Sequence, residues 1–293
     1  MSPPPSPPTL DQVCAQALRL PCAPSLMPRL IAVLRDDASG ANEIEDIIQL
    51  DPALTAATLR LANSAFFGAG QTVETVAQAV IRVGQREIYR LAALALVNRW
   101  EASTGAYGGD PGDFCRHALC TALAAEVLAE AGSPIDPESA YTAGLVCDIG
   151  KLAVAHACAA FFPAIRARQA DQVCAWKQAE RDVLGYDYAQ VGAQLLRTWR
   201  FPAVYAVAAE FCHEPASGPS EAQPLLALLH AAKYLATSLG LGVSEDGFLF
   251  AFNAPFVAAH GYTPELLERS MLPVMERAVA HLRDKATHGS VSF

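Results

Sequence analysis

Thr142-Ala-Gly-Leu-Val-Cys-Asp-Ile-Gly-Lys-Leu152 is an apolar helical stretch interrupted by one carboxylate and closed by Gly-Lys. Upstream, Asp136-Pro137 supplies an N-cap followed by proline at the first helical position, and before that a long helix runs from about Phe114 to Ala131, stopped by Gly132. Downstream, helices are predicted near 175–184, 187–200, 203–212 and 222–239. A further segment lies near 246–258, and a Thr263-Pro264 capped helix reaches Leu282.

Towards the N-terminus the 3.6-residue period continues. Leu10, Val13, Cys14, Ala17 and Leu18 share a face, and a second helix carries Leu30, Ile31 and Leu34. Asn42 with Glu45 makes a capping-box-like start, and Asp51-Pro52 opens a helix through Leu61. Gly68 and Gly70 break the chain before a helix at Val76 to Val83. Gly84 breaks it again before a helix to about Trp100. No strand alternation of useful length and no internal repeat is present, so the expected fold is all-α. The expected organisation is a disordered Pro-rich lead at 1–8, an N-terminal helical subdomain at 9–104, a breaker-rich linker at 105–112 and a second helical subdomain at 113–293.

Hydrophobic residues make up 52% of the 293 residues and charged residues 17%, so most helices must bury a wide face. The net charge of -9 argues against nucleic acid as a partner, because a phosphate backbone is bound through clustered Lys and Arg. No apolar run approaches the roughly 18–20 residues that span a bilayer, so no membrane association is expected. Eight cysteines are scattered without a C-x-x-C pair, which fits reduced, mostly buried thiols and a cytoplasmic setting.

Two separated regions resemble one family, the HDOD proteins, relatives of the HD phosphohydrolases that mostly lack the metal site. The first is Ile48-Gln-Leu-Asp-Pro-Ala-Leu54 leading to Leu61-Ala-Asn-Ser-Ala-Phe-Phe-Gly68, followed by Val76-Ala-Gln-Ala-Val-Ile-Arg-Val-Gly84. The second is His117 through Lys233. The resemblance implies two packed helical subdomains, the second a degenerate HD unit. It places Asp51, Pro52, Asn63, Ser64, Gly84, Gly150 and Lys151 in the family's motifs.

The resemblance also identifies the positions that hold metal in HD enzymes. His117 and Asp148 match the first histidine and the carboxylate. Cys147 stands at the second histidine and Tyr188 at a further one. Cys212-His213 replaces a His-His pair, and Lys233 replaces the closing aspartate. A working site needs imidazoles and carboxylates converging on a hard or borderline metal that activates water. Exchanging a carboxylate for an ammonium changes the local charge by two units, and at an effective dielectric of about 20 each unit pair 4 Å apart interacts by roughly 4 kcal/mol. The expectation is therefore a vestigial metal site with no cofactor, in which Lys233 pairs with Asp148 or points to solvent.

Functionally, the resemblance implies a bacterial, non-catalytic signal-transduction protein that acts by binding a separate signalling protein or a ligand. Three alternatives stay open. One is a metal-dependent phosphohydrolase built on His117, Asp148 and His213 with manganese or iron. Another is zinc on His117, Cys147, Asp148 and Cys212. The third is a module sensing a nucleotide or cyclic dinucleotide without turnover, through Lys233 or the Arg82, Arg86, Arg90 stripe. For Asn63 and Ser64 the expectation is a turn in which both side chains cap backbone groups. Cys115 and Cys120 read as core, and Trp100, Trp176 and Trp199 as core or interface anchors.

Overall fold

A computed structural model of the protein describes residues 6–17, 33, 41–49, 52–64, 67, 72–88, 90–92, 105–107, 112–241 and 249–287. Among these there is no strand, and no single helix is long and apolar enough to cross a membrane. Contacts divide the chain into a larger unit (Met1–Leu20 and Trp100–Ala286) and a smaller one (Pro21–Arg99 and Thr287–Phe293).

In the smaller unit, α2 (Ala41–Gln49), α3 (Pro52–Ala62) and α4 (Val76–Val83) pack on one another through Ile44, Ile48, Leu54, Val76 and Val80. Helix α2 includes Ala41, so Asn42 lies inside it, and the Glu45 carboxylate accepts a hydrogen bond from Gln49. Pro52 opens α3, while Asp51 lies outside the described residues. Thr75 caps α4 by accepting from the Gln78 amide, a signal absent from the sequence reading. Gly84, at φ +89, ends α4 by donating to the Val80 carbonyl.

The Asn63 carboxamide binds the Val73 backbone at both ends, donating to its carbonyl at 2.8 Å and accepting from its amide at 2.8 Å. It also donates to the Leu59 carbonyl. Asn63 thus closes the chain over ten residues, as a turn residue should. Ser64 departs from expectation: its buried hydroxyl makes no hydrogen bond among the described residues.

The larger unit is built on α5 (Asp113–Glu130), which packs on α6 (Pro137–Val146) and on α12 (Gln223–Ser238). A Cβ on Gly144 would lie 2.8 Å from the Ala122 Cα, so α5 and α6 approach closely because that position has no side chain. Helices α7 (Gly150–Ala157), α10 (Tyr188–Thr198) and α11 (Ala203–Phe211) complete the centre, and α8 (Phe162–Gln172) packs on α9 (Trp176–Leu184). Helices α13 (Ala254–Ala259) and α14 (Pro264–Thr287) lie outermost in sequence. Arg277 of α14 pairs with Glu126 and Glu130 of α5.

The sequence-based organisation changes at two places. Helix α1 (Leu10–Ala17), assigned to the N-terminal subdomain, packs on α7 and α10 of the larger unit, where Val13, Cys14 and Ala17 are buried and Tyr186 donates to the Pro8 carbonyl. Part of the supposed linker is core: Gly105–Tyr107 forms a 3-10 turn whose Tyr107 is buried edge-on against Phe162 and Trp176. One aromatic among glycines was enough to anchor the segment. Trp176 is fully buried and Trp199 only partly; Trp100 lies outside the described residues.

Candidate functional site

The stretch quoted at the outset is not one helix. Helix α6 ends at Val146 and α7 begins at Gly150, so Cys147, Asp148 and Ile149 form the turn between them. The break aims Asp148 at Lys233 in the middle of α12 and at His213 just past α11. Its position depends on Gly150, where a Cβ would collide with the Tyr188 carbonyl and lie 2.6 Å from the Gly192 amide.

Asp148 is 5% exposed and is bound on both oxygens. Lys233 of α12, itself 2% exposed, donates to Oδ2 in a short ion pair. His213 Nε2, just past the end of α11, lies 3.1 Å from Oδ1. The Tyr188 hydroxyl, at the start of α10, lies 2.9 Å from the same nitrogen. The pairing expected between Lys233 and Asp148 is therefore present, and Lys233 does not point to solvent. Burial would raise the Asp148 carboxyl, but Lys233, His213 and Lys151 outweigh it and hold the group well below the carboxylate range. Burial would likewise lower Lys233, and the carboxylate holds its ammonium above the ordinary value.

Cys147 and Cys212 meet at the ends of α6 and α11, and their sulfurs and an Asp148 oxygen lie within 4.8 Å of one another. Hydrogen bonding from Cys147 holds the Cys212 thiol below its ordinary value, while Cys147, donating and buried, is pushed up. Behind them His230 is fixed as one tautomer: its Nε2 accepts from the Asn253 amide at 3.0 Å, so Nδ1 donates to the Cys212 carbonyl at 2.8 Å. Burial lowers its pKa, in keeping with a neutral imidazole.

Asp148, Lys233, His213 and Tyr188 border a cavity of ≈ 200 Å³ that also takes in His117 of α5 and Lys151 of α7. All the HD-type positions named from sequence therefore lie in the larger unit. Cys115 and Cys120 are core, as expected. The Arg82, Arg86, Arg90 spacing is not one helical stripe, because Gly84 ends α4 between the first two, and Arg90 pairs with Glu87.

Sequence reasoning missed a buried acid beneath the cavity. Glu180 is fully buried, accepting from the Tyr107 hydroxyl at 2.5 Å and from the Tyr188 amide at 2.6 Å. Burial pushes its carboxyl up to about 8. Its spacing from Trp176 and Leu184 (four residues each way) puts it on the apolar face of α9, the clue the sequence offered. Asp187, which caps α10 in a capping box with Gln190, was also overlooked.

Helical layers around a buried turn that carries Cys147 and Asp148 define an all-α protein of the HD-like class. The chain belongs to the HDOD domain family, which matches residues 20–215. It is similar in fold to an HDOD domain protein of unknown function from Geobacter sulfurreducens, at 20% identity and a TM-score of 0.71, covering 94% of this chain and 96% of that one. It is also similar to a candidate phosphohydrolase from Shewanella amazonensis SB2B, at 26% identity and a TM-score of 0.66, covering 91% and 93%. An uncharacterized protein of Treponema pallidum (strain Nichols) is 26% identical over 212 residues, 71% of this chain. The chain matches 41% of the length of that curated relative.

Proposed function

We propose that this chain is a non-catalytic regulatory HDOD protein of the bacterial cytoplasm, acting by binding a partner protein or ligand, in which a lysine has taken over the charge role of the metal. The observation that carries the reading is the buried Lys233–Asp148 ion pair. A divalent cation at Asp148 would have to displace an ammonium from one oxygen and His213 from the other. Of the remaining positions, Tyr188 offers a neutral phenol already bound to His213, and the Cys147 thiol donates to the Gly144 carbonyl at 3.2 Å. This donor set fits a hard metal poorly. The family supports the regulatory half of the reading, since HDOD proteins resemble HD enzymes without their metals.

One observation favours a second reading: the Cys147, Asp148 and Cys212 donors are close enough to share one ion. Two thiolates and a carboxylate would suit zinc, provided Lys233 moved away.

Elemental mass spectrometry of protein purified without chelator, after manganese, iron and zinc have been offered, separates these readings. Far less than one metal per chain is the expected result. Near-stoichiometric manganese or iron would instead support a phosphohydrolase, as in the name of the Shewanella relative, and near-stoichiometric zinc would support the cysteine set.

A further inference from the structure

Of the three lysines buried among the described residues, Lys233 is matched by Asp148 and Lys177 by Glu214, at 2.9 Å. Lys151 has no such match. It is 8% exposed, borders the cavity, and its Nζ rests 4.9 Å from the Tyr188 ring centre and 5.5 Å from that of Tyr107. Asp148 and Glu180 feel its charge without forming an ion pair with it. Aromatic faces offset part of the desolvation of an ammonium but leave its hydrogen-bonding capacity unused.

The other charged side of the cavity is Lys177 and Arg181, one turn apart on α9. Both hold the carboxylate of Glu214, Arg181 at 3.5 Å, and that carboxylate is half exposed. The cavity lining carries Lys151, Lys177, Arg181 and Lys233 against Asp148 and Glu214, and Arg181 is also held by the buried Asp187 at 2.6 Å, which leaves an excess of one positive charge in a chain whose net charge is -9. Tyr188 and Phe250 supply apolar walls.

We infer that the cavity binds a small phosphomonoester dianion, its phosphoryl group between Lys151 and the Lys177–Arg181 pair, with Glu214 as the internal anion that it displaces. With Glu214 displaced, Lys233 stays matched by Asp148 and Arg181 by Asp187, so a dianion matches the two charges left on Lys151 and Lys177. A tetrahedral group with three terminal oxygens can accept from an ammonium on one side and from a lysine and a guanidinium on the other. The ≈ 200 Å³ volume falls below the roughly 300–1,000 Å³ of sites for drug-sized ligands, which favours a small phosphate ester over a dinucleotide. This inference rests on the non-catalytic reading, since it needs no metal to hold the phosphoryl group.

The test titrates the full chain with inorganic phosphate and with phenyl phosphate, in chelator and at constant ionic strength, by calorimetry and thermal melting. Saturable binding with a raised Tm is expected. Lys151→Gln should weaken it about tenfold or more, and Glu214→Gln should tighten it severalfold by removing the competing carboxylate. Phosphate and phenyl phosphate that do no more than matched sodium chloride, in both the parent and Glu214→Gln, would overturn the inference. So would equal binding by a folded Lys151→Gln; if that variant does not fold, the Glu214→Gln comparison decides alone. Binding that vanishes in chelator and returns with manganese would overturn both this inference and the non-catalytic reading. Absence of binding in a metal-free protein overturns the inference only.

Discussion

A buried carboxylate needs a counter-charge, and Asp148 draws one from a side chain 85 positions away. Removing one member of such a pair leaves the other charged and desolvated, at a cost of about 3–5 kcal/mol. Lys233→Met should therefore destabilise the protein by roughly that amount in urea unfolding at pH 7. Adding Asp148→Asn should restore much of the loss, because the carboxamide can keep hydrogen bonds without carrying charge. If Lys233→Met costs no more than an ordinary surface change of about 0.5 kcal/mol, the ion pair is not what holds this centre together. The substitution of Lys for an acid was legible in the sequence, and so was its partner. What could not be read was that His213 would reach the other oxygen of the same carboxylate and Tyr188 would bind that histidine, since that depends on where α10 and α11 begin and end.

At the scale of elements, the site hangs on a break between two helices that the sequence disguised as one. Val146 through Lys151 holds no proline and no turn-forming cluster apart from Asp148 and Gly150, so local propensity gives weak reason to stop. The reason is tertiary. The backbone of α7 lies against that of α10 at Gly150 and Gly192, and only a glycine at 150 leaves room for the Tyr188 carbonyl. Gly150→Ala should force the two helices apart and cost at least the upper end of the ~1–3 kcal/mol typical of overpacking. Because Tyr188 opens α10, the same change should displace its ring from Lys151 and its hydroxyl from His213. Near-native stability of Gly150→Ala, measured by thermal and urea unfolding, would mean the contact is looser than described. Caps and breakers gave most other helices within a residue or two, whereas α8 went unpredicted and α1 was placed in the wrong unit. The apolar face of α1 was visible, but a face does not say which partner it meets.

For the whole molecule, three of the buried titratable groups tie stability to pH with differing signs. Asp148 titrates below its ordinary 3.8, so its contribution is present above that value and disappears as pH falls through the folded one. His230 titrates below its ordinary 6.5, so the unfolded chain takes up the extra proton and stability rises with pH up to that point. Glu180 acts in the opposite sense. Raised from 4.5 to about 8, it favours the folded state fully below 4.5 and loses that contribution as pH climbs to 8. Just below 6.5 the gain from His230 therefore opposes the loss from Glu180, and from 6.5 to 8 the loss from Glu180 is unopposed by His230. Each unit of pH in that upper window can remove up to about 1.4 kcal/mol. Glu180→Gln keeps an acceptor for the Tyr188 amide and a donor for the Tyr107 oxygen but cannot ionise. The stability difference between parent and variant, followed by urea unfolding from pH 5 to 8, should shift steadily in favour of the variant. A difference that stays constant over that range would mean Glu180 ionises normally, and its burial between Tyr107 and Tyr188 would then need another account.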